Sequence, residues 1–164
     1  MAVPIQSTTL PIADGAFDEV IDVRAPEEFA EDHISGAINL PVLNDAQRTL
    51  VGIMHKEQSP FAARRIGAGL VSAAIAKHLA THLADKPRGY RPLIYCWRGG
   101  QRSHSMATIM SAIGWPVSVL QGGYKAYRTH VREMLEILAP AFTYQVLNGL
   151  TGSGKTRILH ALQS

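Results

Sequence analysis

Leu93-Ile94-Tyr95-Cys96-Trp97-Arg98-Gly99-Gly100-Gln101-Arg102-Ser103 is the stretch whose reading decides the fold. An apolar run ends in the only cysteine of the chain, two arginines and two glycines follow, and a helical pattern begins. A strand that delivers a cysteine into a glycine-rich turn at a helix start is a way to make a reactive thiolate. The free N–H groups and positive dipole end of the helix lower a thiol pKa, and Arg98 and Arg102 add full charges. The same turn, from Arg98 through Gly99, Gly100 and Gln101 to Arg102 and Ser103, is a candidate anion cradle. A lone cysteine after an apolar strand is by itself more often an inert core residue. The polar, glycine-rich sequel argues against that reading. The Cys96 to Arg102 spacing is C-x5-R, which fits both sulfur-group transfer and phosphoryl transfer.

Working outward, Phe17 to Val23 reads as a strand, Pro26 opens a short helix, and Gly36 to Pro41 is a turn into a short buried strand. Residues 43–60 read as irregular or partly helical. Phe61 to about Ala84 carries a helical pattern with Ile66, Leu70, Ala74, Leu79 and Leu83 near one face. Pro92 to Tyr95 reads as a central parallel strand. Gln101 to Ile113 follows as a helix with Met106, Ile109, Met110 and Ile113 inward. Pro116 to Leu120 is a strand, Gln121-Gly122-Gly123 a turn, and Tyr124 to Leu138 a helix. This alternation predicts an α/β domain with a central parallel sheet flanked by helices. After Ala139-Pro140, Phe142 to Leu147 reads as a new strand, Asn148 to Gly154 as a loop and Lys155 onward as a helix. The expected organisation is an N-terminal arm or edge strand (1–15), an α/β domain (16–138) and the start of a second domain (139–164).

With 164 residues, 46% hydrophobic and 18% charged, the chain is an ordinary globular sequence rather than a disordered one. A net charge of +3 is compatible with nucleic acid or a small anion and selects neither. One cysteine excludes an intrachain disulfide and favours a reducing compartment. No signal peptide or membrane span is read, so a cytoplasmic location without membrane contact is expected. His78 and His82 have the i, i+4 spacing of a zinc helix, but Leu79 stands where a metalloprotease needs Glu. No metal site is expected.

Two further segments bear on the cysteine loop. Asp22-Val23-Arg24-Ala25-Pro26-Glu27-Glu28-Phe29 with His33-Ile34-Ser35-Gly36-Ala37-Ile38-Asn39-Leu40-Pro41, and Leu120-Gln121-Gly122-Gly123-Tyr124-Lys125-Ala126-Tyr127, resemble the two signatures of the rhodanese family. The resemblance implies the rhodanese-like α/β fold and places Cys96 where that family carries its persulfide-forming cysteine. Trp97 departs from the single-domain pattern, in which an arginine directly follows the cysteine. The loop length matches the rhodanese-fold phosphatases, which keeps phosphatase chemistry open. On the residues alone, Asp22 and Arg24 read as a pair or a brace, His33 as a hydrogen-bonded packing residue, and Gly36, Gly122 and Gly123 as turn formers.

Gly149-Leu150-Thr151-Gly152-Ser153-Gly154-Lys155-Thr156 matches the Walker A pattern G-x4-G-K-[ST]. Gly149, Gly152, Ser153 and Gly154 would turn backbone N–H groups to a phosphate chain. Lys155 would reach the terminal phosphates, and Thr156 would face Mg²⁺ if the site is complete. Eight residues follow Thr156, so no Walker B acid and no complete nucleotide site are expected from this stretch.

A rhodanese-like domain running directly into a P-loop resembles the tRNA 2-selenouridine synthase family, N-terminal portion. Val51 to Ala68 resembles that family's insertion, as do Tyr95 to Ser103 and Asn148 to Thr156. The resemblance implies exchange of the sulfur of wobble 2-thiouridine in tRNA for selenium. Selenophosphate is then the donor, geranyl diphosphate supplies a geranylated intermediate, and no cofactor is tightly bound. Cys96 would be the nucleophile, and Arg98 to Ser103 would hold the anionic donor. The P-loop would take a prenyl diphosphate or a nucleoside triphosphate. A small-molecule sulfurtransferase, a rhodanese-fold phosphatase and a non-catalytic binding module remain as other readings.

Overall fold

The computed structural model describes residues 2–57, 59–143 and 145–162. The chain divides into two compact units, Met1–Val131 and Arg132–Ser164. The first unit is built on a five-stranded parallel sheet in the order β1-β5-β4-β2-β3. The strands are β1 Gln6–Thr8, β2 Glu19–Asp22, β3 Ile38–Asn39, β4 Pro92–Tyr95 and β5 Ser118–Leu120. The helices are α1 Pro26–Glu31, α2 Asp45–Glu57, α3 Pro60–Ala80, α4 Gln101–Ile113, α5 Gly123–Leu138 and α6 Lys155–Ala161. No helix among the described residues is long and apolar enough to cross a membrane.

β4 is the middle strand, and all four of its residues are buried. Its alternation assigns side chains to the two faces of the sheet. Ile94 and Cys96 join Ile75, Met106 and Met110 in one core. Leu93 and Tyr95 join Ile34, Leu120 and Tyr124 in the other. A strand covered on both sides must be apolar throughout, which is why Pro92-Leu93-Ile94-Tyr95 shows no polar alternation. β2 leads outward to β3, whereas β4 leads to β5 on its other side. The chain direction therefore reverses across the β2–β4 boundary, and ligand crevices in parallel sheets form at the carboxyl ends of strands at such a reversal. Cys96 directly follows β4 at that end.

Several boundaries differ from the sequence reading. The 43–60 stretch is largely the regular helix α2, set by a reciprocal cap. Gln47 N–H donates to Asn44 Oδ1 at 2.8 Å, and Gln47 Oε1 accepts from Asn44 N–H at 3.0 Å. Gln58 lies outside the described residues. On α3 the buried positions are Ala63, Gly67 and Ile75, with Val71 and Leu79 half-buried on the same stripe. Ile66 is exposed, because small residues let α2 approach; Val51 would meet a side chain at Gly67 at 3.5 Å. Ile113, expected inward, is exposed at the end of α4, one residue before the left-handed Gly114 that ends the helix. The arm contributes β1, which pairs with β5 as an edge strand. β3 is half-buried rather than buried, as the opposite edge strand.

The second unit holds no strand among its described residues, contrary to the one read over Phe142 to Leu147. An apolar run becomes a strand only by pairing, and this unit offers no second strand to pair with. Tyr144, within that run, lies outside the described residues.

Candidate active site

The cysteine loop is shaped from both ends. β4 fixes Cys96, and α4 begins at Gln101 with Gly100 as its cap. Between them, Gly99 takes a left-handed turn (φ +67°), and a side chain there would come within 2.7 Å of the Leu120 carbonyl oxygen. The Gln121-Gly122-Gly123 turn closes on the loop from the end of β5. Tyr124 N–H donates to the Cys96 carbonyl at 2.9 Å, and Lys125 N–H to the Trp97 carbonyl at 3.0 Å. Gly123 (φ +59°) lies so close that a side chain would overlap the Cys96 carbonyl oxygen. The turn glycines are thus required by contact with the loop as well as by their own backbone.

Cys96 is 4% exposed, and its sulfur lies beside the start of α4. Gly100 N–H donates to Sγ at 3.3 Å, and Ser103 Oγ is also 3.3 Å from Sγ. Burial pushes the thiol up. The Ser103 hydroxyl, with backbone N–H groups of Ser103, Gly100 and Arg98, outweighs burial and holds the thiol below its ordinary value. A thiolate at the first turn of a helix, ringed by amides, is chemically a nucleophile.

The structure brings some of the predicted residues together and separates others. Arg98, Gly100 and Gln101 are exposed around the loop and Gly99 is half-buried. Ser103 is fully buried; its Oγ donates to the Gly100 carbonyl at 3.0 Å when it is not donating to sulfur. It sits under the sulfur rather than on the open side. Arg102 is turned to Glu28, with contacts of 2.6 and 3.3 Å to its two carboxylate oxygens. Burial raises the Glu28 carboxyl, and Arg102 more than offsets it, leaving the group below its ordinary value. Glu28 also accepts from Ala25 N–H at 3.1 Å, so one carboxylate ties the start of α1 to α4.

Asp22 and Arg24 form a buried pair, 0% and 1% exposed, with Nη2 to Oδ2 at 2.6 Å and Nε to the two oxygens at 3.1 and 2.9 Å. The guanidinium lies 4.0 Å from the centre of the Tyr124 ring and donates to the Asp32 carbonyl at 2.7 Å. Tyr124 donates its hydroxyl to the Asp32 carboxylate, and burial with that carboxylate pushes the phenol up to about 12. The pair therefore braces the residue that follows the Gly122-Gly123 turn, and through it the cysteine loop. His33 stacks on Phe29 at 3.9 Å and bonds its carbonyl through Nδ1 at 2.9 Å, a packing role. His78 and His82 diverge: His78 Nε2 meets the Pro41 carbonyl and His82 Nε2 meets Glu19, each at 2.9 Å. No cluster that could hold a metal ion occurs among the described residues.

A family model described as the rhodanese-like domain matches residues 8–130. The chain belongs to the rhodanese-like family. Within it, this rhodanese-like chain is 36% identical over 158 residues to a tRNA 2-selenouridine synthase of Nitrosomonas europaea, covering 96% of this chain and 40% of that protein. It is 40% identical over 149 residues to the one of a Sulfurovum species, covering 88% of this chain and 40% of that protein. The chain thus spans about two fifths of the length of these curated relatives. Among solved structures, the N-terminal domain of a putative ATP/GTP binding protein from Clostridium difficile 630 is 38% identical. It covers 68% of this chain and 87% of that domain, with a TM-score of 0.60.

In the second unit, Gly149 to Gly154 form the loop before α6 and Lys155 and Thr156 begin the helix, with Gly152 and Gly154 left-handed (φ +83° and +82°). The Lys155 ammonium donates to the Gly149 and Leu150 carbonyls, each at 2.7 Å, and lies 3.5 Å from Ser153 Oγ. Thr156 is exposed at the first turn. Glu28 and Tyr124 are the site residues that sequence reasoning did not single out for a role. Glu28 meets its partner 74 positions away, which no local pattern announces.

Proposed function

We infer that this chain supplies the selenium-transfer cysteine of a tRNA-modifying transferase that exchanges the sulfur of wobble 2-thiouridine for selenium. The observation that carries the reading is the Cys96 sulfur, lowered in pKa by loop amides and Ser103, in a chain similar to tRNA 2-selenouridine synthases. Selenophosphate is the donor and the sulfur is geranylated before exchange. Cys96 is the nucleophile of the selenium step: its thiolate attacks the phosphorus of selenophosphate, the P–Se bond breaks to release selenide for the exchange, and water then frees the thiol as phosphate leaves, while the N–H groups of the loop, with Arg98 and Arg102, neutralise the anionic donor. The phosphate chain of geranyl diphosphate is assigned to Gly149, Gly152, Ser153, Gly154 and Lys155. Thr156 supplies one oxygen suited to Mg²⁺, an ion that takes its other ligands from water and phosphate.

The test is Cys96→Ser in cells that depend on this gene, with 2-selenouridine measured in digested tRNA by nucleoside mass spectrometry. Selenouridine falls to background if Cys96 is the nucleophile, and an undiminished level refutes the role. Assays with thiosulfate and with an aryl phosphate separate the other chemistries. Turnover of either by wild type but not Cys96→Ser would favour a small-molecule sulfurtransferase or a phosphatase.

A further inference from the structure

Beside the cysteine loop, α2, α3 and the first turns of α4 line a cleft of about 450 Å³. Its volume lies in the range of roughly 300–1,000 Å³ typical of small-molecule sites. Its wall is apolar where the helices face each other: Val51, Ala63, Gly67, Ala68 and Val71. The small residues that bring α3 against α2 also leave this space open. The polar lining carries two arginines and two histidines beside the neutral Gln101, Ser105 and Thr108. Arg64 and His55 come from the two long helices, and Arg102 and His104 from α4. No carboxylate lines the cleft, and Glu28, which pairs with Arg102, is not among its lining residues. Arg64 makes no ion pair among the described residues. Gln101 and Arg102 belong both to the cleft wall and to the loop that carries Cys96.

An apolar wall with a positive rim selects an amphiphilic anion. We propose that the α2–α3–α4 cleft binds the hydrocarbon group of a phosphate-bearing substrate, its chain against Val51, Gly67, Ala68 and Val71 and its phosphate toward Arg64 and Arg102. The inference rests on the reading that a hydrocarbon-bearing substrate visits this protein, and it gives the hydrocarbon group a place in the rhodanese-like unit. Two sources share this chemistry, a free prenyl diphosphate and a nucleotide carrying the hydrocarbon on sulfur.

Binding to the purified chain is measured calorimetrically with geranyl diphosphate, 2-S-geranylthiouridine 5′-monophosphate, inorganic diphosphate and geraniol. At least one of the two geranyl anions binds at least about tenfold more tightly than inorganic diphosphate and than geraniol, because several methylenes leave water only when the chain is present. Whichever of the two binds more tightly identifies the source. Ala68→Phe, at an exposed cleft position, fills the space and weakens that binding at least about tenfold. Should Ala68→Phe lose its circular dichroism, Thr108→Leu fills the cleft from the exposed face of α4. Arg64→Gln weakens the anionic probes and leaves geraniol unchanged. Absence of saturable binding, equal affinity for inorganic diphosphate, or loss through Lys155→Ala with cleft-filled protein unaffected overturns the proposal. Cys96→Ser binds normally under this proposal even though it transfers no selenium, so failure of the cleft and failure of the cysteine role are read separately.

Discussion

Replacing Ser103 by alanine removes the hydroxyl that lies 3.3 Å from the Cys96 sulfur. Ser103 is fully buried, so no water reaches the vacated position directly from bulk. Its single proton serves either the Gly100 carbonyl, 3.0 Å away, or the sulfur. The first choice suits the neutral thiol and the second the thiolate. A hydrogen bond to a charged group contributes about 1.5–3 kcal/mol. Its loss therefore raises the thiol pKa, because burial then meets less opposition. The sign also reaches stability. The native thiol is held below its ordinary value, so the folded protein binds fewer protons than the unfolded chain between those two values. Stability therefore rises with pH across that window and is flat above it. Ser103→Ala narrows the window from its lower edge. The assay is thiolate absorbance near 240 nm against pH, which needs no reagent to reach the buried Cys96. Chemical denaturation at several pH values checks the linkage. An inflexion in Ser103→Ala that coincides with wild type would refute the assignment of Ser103 to the thiolate.

Three further outcomes follow from the braces around the loop. Gly123→Ala places a methyl group on the Cys96 carbonyl and 2.6 Å from Gly99 N, at φ +59°; a loss of at least about 2 kcal/mol is expected in urea unfolding, and an unchanged midpoint would refute the close approach. Asp22→Asn leaves Arg24 buried without its counter-charge and destabilises by about 3–5 kcal/mol, read in the same experiment; a loss under 1 kcal/mol would show that Arg24 finds another partner. The Glu28 carboxyl is depressed, so its contribution is present above the ordinary carboxylate pKa and lost as pH falls through the native value. Glu28→Gln removes that part of the acid-side loss, and identical acid limbs in wild type and variant would count against the Glu28–Arg102 tie.

The parts of this fold that local chemistry dictates were legible in the sequence. A four-residue apolar run with no polar alternation predicts a fully covered strand, and β4 is one. The boundary from Gly100 to Gln101 marks a helix start, and α4 begins there. Asn44 and Gln47 carry an N-x-x-Q cap that announces α2, a signal outweighed by the polar composition of the segment. The first half of the buried stripe of α3 was harder to see because Ala63 and Gly67 form it. Hydrophobicity marks large side chains, whereas close helix approach selects small ones. The candidate site divides in the same way. Cys96 and its glycines follow from the loop itself. The destination of Arg102 does not, because Glu28 reaches it only after α1 and α4 have been placed by the sheet. The strand read at Phe142 to Leu147 shows the opposite limit, since pairing partners are not a local property.

The contact between the Gly122-Gly123 turn and the cysteine loop also governs how this protein can vary. Two amides of the turn are spent on the carbonyls of Cys96 and Trp97, and the space for a side chain at Gly123 is already occupied by loop backbone. An insertion or deletion between Cys96 and Gly100 would detach both bonds and reopen the turn. Loop length and turn composition can therefore drift only as a coupled pair, even though the turn glycines need never meet a substrate. A library that randomised the loop while fixing Gly122 and Gly123 would retain folded members at the native loop length and lose them one residue on either side.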